Sequence, residues 1–245
     1  MGQLFLVRHG QASFGSADYD QLSPLGVEQA RILGEWFDHC GQNFDRVVTG
    51  DLKRHRQTAD ACMTAWSGSS GKAVERNVDA GFNEYDHDQI MLRHRPEFAD
   101  PDAVKRFLAA SENGKRAFQL EFEKAMTRWM SGQHDADYRE PWQAFRERCV
   151  AALVRVMDGA GVSQKIVVFT SGGTISTLCQ YVMGLSDQSV YQLNWSLVNS
   201  AVTKLLFQSN HGKPGQHADN HISLNYLNNY AHLERLGKGD SITYR

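Results

Sequence analysis

The sequence predicts an α/β fold, in a single domain, with a mostly parallel sheet and a helical insertion. Three observations lead to this prediction. Short apolar runs at residues 4–7, 46–49 and 165–170 read as strands buried on both faces. Each run is followed, after a turn or loop, by a segment that is predicted to form a helix. From residue 87 to about residue 140 the alternation lapses and helical spacing alone remains, which indicates the insertion.

Length and charge limit the functional classes. The chain has 245 residues and 41% hydrophobic residues, enough for a substantial core. Its 26 Lys and Arg against 28 Asp and Glu give a net charge of −2, so no overall basic field indicates nucleic-acid binding. An anionic ligand therefore requires positive charge that is gathered locally.

Cysteine spacing and hydropathy predict a compartment. The four cysteines lie far apart, without a C-x-x-C pair, and are expected to be thiols in a reducing environment. No signal-peptide pattern and no apolar run of membrane-spanning length is present. We therefore expect a soluble cytoplasmic protein with no membrane partner; the oligomeric state stays open. The cysteines are Cys40, Cys62, Cys149 and Cys179.

The first predicted strand ends in reactive side chains. The apolar run 4–7 stops at Arg8, His9 and Gly10. Ligands of open α/β sheets bind at the carboxyl ends of strands, and a glycine lets another group approach the backbone closely. The alternative for these three residues alone is a surface turn with incidental charge.

A helix is expected after the polar loop 12–21. Ser23 is a suitable N-cap, Pro24 suits the first helical position, and Gly41 is a suitable stop. Its predicted apolar stripe consists of Leu25, Ile32, Leu33, Trp36 and Phe37.

Two further chain segments place polar groups near strand ends. The strand 46–49 runs into a helix whose first turn contains Arg54, where backbone N–H groups and the helix dipole favour anions. A short strand at 73–75 precedes the acidic turn that contains Glu84. Taken alone, Arg54 could pair within its own helix, and Glu84 could be an ordinary loop acid.

The insertion and the C-terminal part complete the prediction. Helices are expected before Gly114 and through the stripe from Phe118 to Trp129, which we interpret as packing rather than a cofactor site. The strand 165–170 runs into Ser171, Gly172 and a helix that ends at Gly184, a third corner suited to anions. The remaining predicted elements are a helix at 142–156 and strands at 201–207 and 222–227, which flank a polar loop.

Taken together and in order, these motifs resemble those of the histidine phosphatase superfamily, whose fold is phosphoglycerate-mutase-like. Each match is weak or moderate alone, but together the matches occur in the order of the family motifs and span most of the chain. The matching segments are Leu6-Val7-Arg8-His9-Gly10, Leu22-Ser23-Pro24-Leu25-Gly26 with Gln29-Ala30, Asp51-Leu52-Lys53-Arg54 with Gln57-Thr58-Ala59, Phe82-Asn83-Glu84, and Ser171-Gly172-Gly173-Thr174-Ile175.

The resemblance implies a three-layer α/β/α fold and a phosphoryl-transfer site. His9 would attack phosphorus and form a phosphohistidine, with its other ring nitrogen held by a hydrogen-bond acceptor. Arg8 and Arg54 would clamp the phosphoryl oxygens, and Glu84 would protonate the leaving oxygen and then help to activate water. Ser171 and Gly172 would complete the phosphate site. No metal or cofactor is required.

The sequence departs from the family pattern at two positions. Ser171 stands where the family has a second histidine, and Gly15 stands where many relatives have an asparagine. Losing one donor to the transition state typically costs on the order of a hundred- to a thousandfold in rate. We hypothesise that His55 or His87 supplies the missing donor, although each is otherwise expected at the surface or in a supporting position.

Three functions remain open. The favoured one is metal-independent hydrolysis of a phosphomonoester, on a small phosphorylated substrate or a phosphopeptide. A phosphoglycerate-type mutase and a weakened phospho-ligand or protein-binding module are the alternatives, and Ser171 is the best argument for the last. A metal site is a less favoured interpretation of three histidines in or beside the polar loop, namely His211, His217 and His221.

Overall fold

The computed structural model describes residues 1–13, 20–68, 74–208 and 222–244. Within them the chain forms two compact units. The first consists of Met1–Glu84 and Cys149–Arg245, and the second of Tyr85–Arg148. The predicted positions Gly15, Ala73, His211, His217 and His221 lie outside the described residues.

The first unit is built on a six-stranded mixed sheet, which confirms the predicted α/β class. The strand order is β3-β2-β4-β1-β5-β6. Pairs β1–β4, β2–β4 and β2–β3 are parallel, whereas β5 pairs antiparallel with β1 and β6. The strands are β1 (Gly2–Arg8), β2 (Arg46–Thr49), β3 (Glu75–Val78), β4 (Lys165–Thr170), β5 (Val202–Phe207) and β6 (Ile222–Asn229).

The helices of the described residues follow the predicted order, with additions. Helix α1 begins after Ser23, whose side chain accepts the N–H of Gly26, and has Pro24 as its first residue, as predicted. The helices are α1 (Pro24–His39), α2 (Lys53–Ala65), α3 (His87–His94), α4 (Pro101–Ala109), α5 (Gly114–Met130), α6 (Trp142–Asp158), α7 (Gly172–Met183), α8 (Asp187–Ser196) and α9 (Ala231–Glu234).

The core beside α1 and α2 explains why these strands are continuously apolar. Alternate residues of a strand point to opposite faces of the sheet. Phe5 and Val7 of β1 therefore share one face, where they join a cluster from both helices, while Leu4 and Leu6 point to the other face and are equally buried. The helical side of this cluster consists of Leu33, Phe37, Ala59, Cys62 and Met63.

Strand register brings three carboxyl ends together. Arg8 lies opposite Thr170, and Thr49 lies opposite Phe169. The ladder continues one residue past each strand, because the His9 N–H donates to the Thr170 carbonyl at 2.9 Å and the Gly50 N–H donates to the Phe169 carbonyl at 3.0 Å. The sheet alone thus places the Arg8-His9 corner beside the Ser171 corner, with the β2–α2 corner next to them.

The second unit is helical and is held by aromatic packing. Trp129 lies 5.2 Å from Tyr85 and 5.1 Å from Trp142 between ring centroids. Phe118 stacks on Phe98 at 6.1 Å. The predicted interpretation of the aromatic stripe on α5 as packing is confirmed for these residues. None of the helices in the described ranges has both the length and the apolar character needed to cross a membrane.

Candidate active site

His9 lies at the end of β1 with one ring nitrogen committed. Its Nδ1 is 2.7 Å from the carbonyl oxygen of Gly10. A carbonyl oxygen can only accept, so the hydrogen of the neutral ring is on Nδ1 and the lone pair is on Nε2. The backbone acceptor expected from the sequence is therefore present, and the lone pair on Nε2 is the one that the predicted attack on phosphorus would use.

The surroundings of His9 keep its ring neutral. The residue is 8% exposed. Burial lowers its pKa well below 6.5, and the charges of Arg54 and Arg8 lower the pKa further, in that order. A neutral imidazole is nucleophilic, whereas a protonated one is not, so the cationic setting that would attract phosphate also preserves the reactive form.

Residues 197–200 form hydrogen bonds that hold Arg8 and His9 in place. A guanidinium nitrogen of Arg8 donates to the carbonyl of Leu197. The side-chain amide of Asn199 donates to the carbonyl of His9 at 3.1 Å, and the N–H of Ser200 lies 3.1 Å from the Arg8 carbonyl. Ser200 has a φ of +60°, a conformation that non-glycine residues rarely adopt.

Arg54, in the first turn of α2, is buried next to this corner. The N–H of Gly10 donates to the Thr58 hydroxyl at 3.1 Å, and that hydroxyl donates to the Arg54 carbonyl at 2.6 Å. The guanidinium pairs with Asp20, with 2.6 Å between Nη1 and Oδ1. Arg54 thus pairs with a distant segment of the chain; sequence reasoning did not identify Asp20, since it marked the segment only as a polar loop.

The turn that contains Glu84 is attached on three sides. The hydroxyl of Thr170 donates to the Phe82 carbonyl at 2.6 Å, and the hydroxyl of Thr174 donates to the Asn83 carbonyl at 3.1 Å. The side-chain oxygen of Asn83 accepts the Asp51 N–H at 2.6 Å. Glu84 itself accepts the N–H of Gly173 at 3.0 Å, so its carboxylate lies on the first turn of α7.

Gly172, the first residue of α7, lies close to the side chains of Asn194 and Arg8. A Cβ added at Gly172 would lie 2.4 Å from the Asn194 side-chain oxygen and 3.4 Å from Nε of Arg8. A side chain at this position would therefore require the Asn194 amide to move. The third strand-end corner is therefore packed directly against the first, with the completely buried Ser171 between β4 and α7.

His55 lies in a supporting position, one of the two locations expected for it. It is completely buried, and its ring centroid lies 5.9 Å from that of His9. Its Nε2 is 2.6 Å from the hydroxyl oxygen of Ser171. His87 belongs to the second unit, with a side chain that is 38% exposed and 3.4 Å from Asp88. Of the two histidines proposed as donors, His55 is thus the one in contact with Ser171.

The structure also bears on cation binding. Among the described residues no group of three or more His, Cys, Asp and Glu side chains could hold a metal ion. What the arrangement presents is a neutral imidazole, two guanidinium groups, a second buried imidazole and a carboxylate on a helix N-terminus. Such a set is chemically suited to bind a tetrahedral dianion and to exchange protons with it.

Comparison with known proteins agrees with this chemistry. Residues 4–119 and 110–220 match the model of the histidine phosphatase superfamily (branch 1). Over 62 residues the chain is 42% identical to a broad-specificity phosphatase of Saccharomyces cerevisiae. This alignment covers 23% of this chain and 27% of that protein. Over 215 residues it is 24% identical to a 2,3-bisphosphoglycerate-dependent phosphoglycerate mutase of Lactiplantibacillus plantarum, covering 79% and 89% of the two chains.

Two solved structures have the same fold. Phosphoglycerate mutase from Bacillus anthracis superposes with a TM-score of 0.62 at 17% identity, covering 97% of both chains. A phosphoserine phosphatase from Entamoeba histolytica superposes with a TM-score of 0.58 at 19% identity, covering 95% of this chain and 100% of that one. At these identities the likeness shows the fold alone. Because the family model matches most of the sequence, the chain belongs to the histidine phosphatase superfamily, branch 1.

Proposed function

We propose that the protein is a metal-independent phosphomonoester hydrolase that acts through a phosphohistidine on His9. The observation that carries this proposal is the state of that ring: Nδ1 is bonded to the Gly10 carbonyl, and burial beside Arg8 and Arg54 lowers its pKa well below 6.5. A site that only bound phosphate would gain more from a protonated histidine than from a neutral one.

In the first step, Nε2 of His9 attacks phosphorus and the bond from phosphorus to the ester oxygen breaks. Arg8 and Arg54 bind the equatorial oxygens, where charge accumulates. Glu84, in its acid form, gives its proton to the departing oxygen, which leaves as an alcohol. The Gly173 N–H, which donates to the Glu84 carboxyl at 3.0 Å, supports the carboxylate that this proton transfer produces.

In the second step, water attacks the phosphohistidine. The Glu84 carboxylate takes a proton from the water, the N–P bond breaks, and its electron pair returns to Nε2 of His9. Inorganic phosphate leaves and Glu84 is again protonated, so the cycle closes without a cofactor. The substrates we propose are small phosphorylated molecules or phosphopeptides. All four cysteines are free thiols, which supports a reducing, cytoplasmic location.

The proposal is tested by incubating the protein with 4-nitrophenyl phosphate in the presence of EDTA and trapping the phosphoprotein. A phosphohistidine is labile in acid and stable in base. We expect release of nitrophenol and a base-stable phosphoprotein, both absent from the matched His9→Ala variant.

Other outcomes identify the alternatives. Trapping that requires a bisphosphate primer, with phosphate passed back to a second substrate, would assign a mutase, the activity named for the L. plantarum relative. Binding of inorganic phosphate without turnover or trapping would assign a phospho-ligand-binding module.

A further inference from the structure

Ser171 precedes helix α7 at the N-cap position, but its side chain does not cap the helix. An N-cap serine normally accepts a backbone N–H from the first turn. Here the side chain makes no such bond, and the backbone carbonyl of Ser171 accepts the N–H of Ile175 at 3.0 Å. The hydroxyl instead lies 2.6 Å from Nε2 of His55. The hydroxyl of Ser171 therefore does not cap α7 and contacts His55 instead.

The location of His55 determines which nitrogen carries its hydrogen. Nδ1 is buried and, within the described part of the chain, has no hydrogen-bond partner. It faces Gly50 so closely that an added Cβ there would lie 2.2 Å away. A buried N–H without an acceptor costs about 1–3 kcal/mol. The hydrogen is consequently on Nε2, which donates to the Ser171 hydroxyl oxygen.

Because the oxygen of Ser171 accepts from His55, the hydroxyl hydrogen of Ser171 is directed elsewhere. The residues near Ser171 indicate where this hydrogen points. His9 lies on the neighbouring strand end, where its N–H donates to the Thr170 carbonyl at 2.9 Å. Glu84 lies on the first turn of α7, where it accepts the Gly173 N–H. Thr170 and Gly173, which lie on either side of Ser171 in the chain, thus contact the predicted nucleophile and the predicted acid.

We propose that His55 is a positioning residue that directs the Ser171 hydroxyl toward an oxygen of the transferring phosphoryl group. This inference rests on the proposed function, since it assumes that a phosphoryl group reaches His9. In this arrangement the uncharged His55–Ser171 pair donates one hydrogen bond to the developing charge of the transition state. His55 acts through Ser171 and does not itself touch the substrate.

Four variants test the pair: Ser171→Ala, His55→Leu, His55→Gln and the double variant with Ser171→Ala and His55→Leu. Leucine has a similar volume without a donor, and the glutamine amide nitrogen can replace Nε2. We expect Ser171→Ala to lower kcat by about a hundred- to a thousandfold, the usual loss for one transition-state donor. His55→Leu should lower kcat to a similar extent, while His55→Gln should retain activity within about tenfold of the wild type.

The double variant separates positioning from general stability. If His55 acts only through Ser171, the double variant has the kcat of Ser171→Ala alone, because the second substitution has nothing further to remove. If the two losses multiply, or if His55→Leu retains wild-type kcat, the inference is wrong. Thermal unfolding of each variant identifies any that fail to fold, and His55→Gln keeps the test decisive if His55→Leu is among them.

Affinity for vanadate keeps this test independent of turnover. Vanadate adopts the trigonal-bipyramidal geometry of a transferring phosphoryl group, whereas inorganic phosphate resembles the ground state. We expect Ser171→Ala and His55→Leu to weaken vanadate binding by about tenfold or more, non-additively, and phosphate binding much less. A wild type that binds vanadate without hydrolysing esters contradicts the proposed function alone. Equal losses for both anions contradict the positioning role, as does a defect that is found in His87→Ala instead of His55→Leu.

Discussion

Asp20 forms an ion pair with Arg54 and also caps the helix that contains it. One carboxylate oxygen is 2.6 Å from Nη1 of Arg54, and the other accepts the N–H of Lys53 at 2.9 Å. Leu52, the N-cap residue of α2, has no side chain that could do this. A negative charge thus lies on the helix N-terminus beside an arginine that is expected to bind phosphate, where it opposes an anionic ligand while it orients the guanidinium.

Replacing Asp20 by asparagine should therefore separate these two effects. The amide oxygen can still accept from Lys53 or Arg54, but the negative charge is lost. One unit charge a few ångströms away is equivalent to about 1 kcal/mol in a well-solvated setting, so inorganic phosphate should bind roughly fivefold more tightly. Calorimetric titration with phosphate at low ionic strength measures this change. Asp20→Ala, which also removes the acceptor, should instead lower kcat.

The control for this prediction is Asp60→Asn on the same helix. Asp60 pairs with Arg76 in an exposed ion pair, with 2.8 Å between the charged atoms, and its substitution removes an equal charge. We expect no change in phosphate affinity there. Weaker phosphate binding by Asp20→Asn would show that orientation of Arg54 outweighs the charge of the carboxylate.

The lowered pKa of His9 predicts how activity responds to acid. The deprotonated ring is the reactive form, and burial together with Arg54 and Arg8 lowers its pKa well below 6.5. The reactive form therefore persists as the pH falls through 6.5 and is lost only at a lower pH. Nuclear magnetic resonance of the ring carbons, assigned with His9→Gln, should show no titration of His9 centred at 6.5.

The matching kinetic measurement is the pH dependence of phosphoenzyme formation. Its rate should not halve at pH 6.5 through protonation of the nucleophile. A ring that titrates with the value of a free histidine would mean that the site is more hydrated than the 8% exposure of His9 indicates.

The contribution of Glu84 to kcat should be larger for a substrate with a poorer leaving group. A carboxylic acid assists an alkoxide, which must be protonated to leave, far more than a nitrophenolate, which leaves unprotonated. Glu84→Gln retains an oxygen for the Gly173 N–H but has no proton to give. We expect kcat to fall by about a hundred- to ten-thousandfold with an alkyl phosphate and by much less with 4-nitrophenyl phosphate.

Phosphate affinity provides the check on this variant. Because Glu84→Gln should leave the arginine clamp intact, inorganic phosphate should bind within about threefold of the wild type, a difference of less than 1 kcal/mol. An equal loss of kcat with both esters would remove Glu84 from the role of acid and leave it as a support for the α7 N-terminus.

Much of the fold could be predicted because local patterns encode it. The apolar runs give β2 and β4 the bounds predicted, and Ser23 with Pro24 marks the start of α1. The strand expected at 73–75 is instead β3, Glu75–Val78, because a largely exposed edge strand does not need an apolar run. Helix α8 was not predicted, since Val190 is its single buried residue and no stripe marks it.

The contacts within the site are harder to predict because they join distant residues. The partners of Arg54 and Ser171 are 34 and 116 positions away in the chain. Motif order places strand ends near one another, but a sequence pattern does not specify which side chain fills the space beside them. For His55 the sequence offers only its position directly after Arg54. A histidine at that position is equally compatible with an exposed side chain in the first turn of α2.

The side chain of Asn199 supports the backbone of His9. Asn199 is completely buried and donates to the His9 carbonyl at 3.1 Å, while its amide oxygen accepts from the Thr243 hydroxyl at 2.9 Å. Asn199→Ala removes this brace from the strand end that carries the ring. A misplacement of about 1 Å can cost a hundredfold in rate, so we expect kcat to fall by about ten- to a hundredfold. Loss of the buried hydrogen bonds should also cost about 1–3 kcal/mol in the free energy of unfolding.

A loss of stability in Asn199→Ala could lower kcat without any change in the orientation of His9. Asn228 provides the matched control. Its side chain braces the same segment, accepting from the Val198 N–H at 2.8 Å and donating to the Ser196 carbonyl at 2.9 Å, without a bond to His9. Because its φ is +53°, glycine is the suitable replacement. Asn228→Gly should lower the free energy of unfolding with kcat nearly unchanged. If both variants lose stability and kcat in the same ratio, the amide of Asn199 stabilises the fold and does not orient the nucleophile.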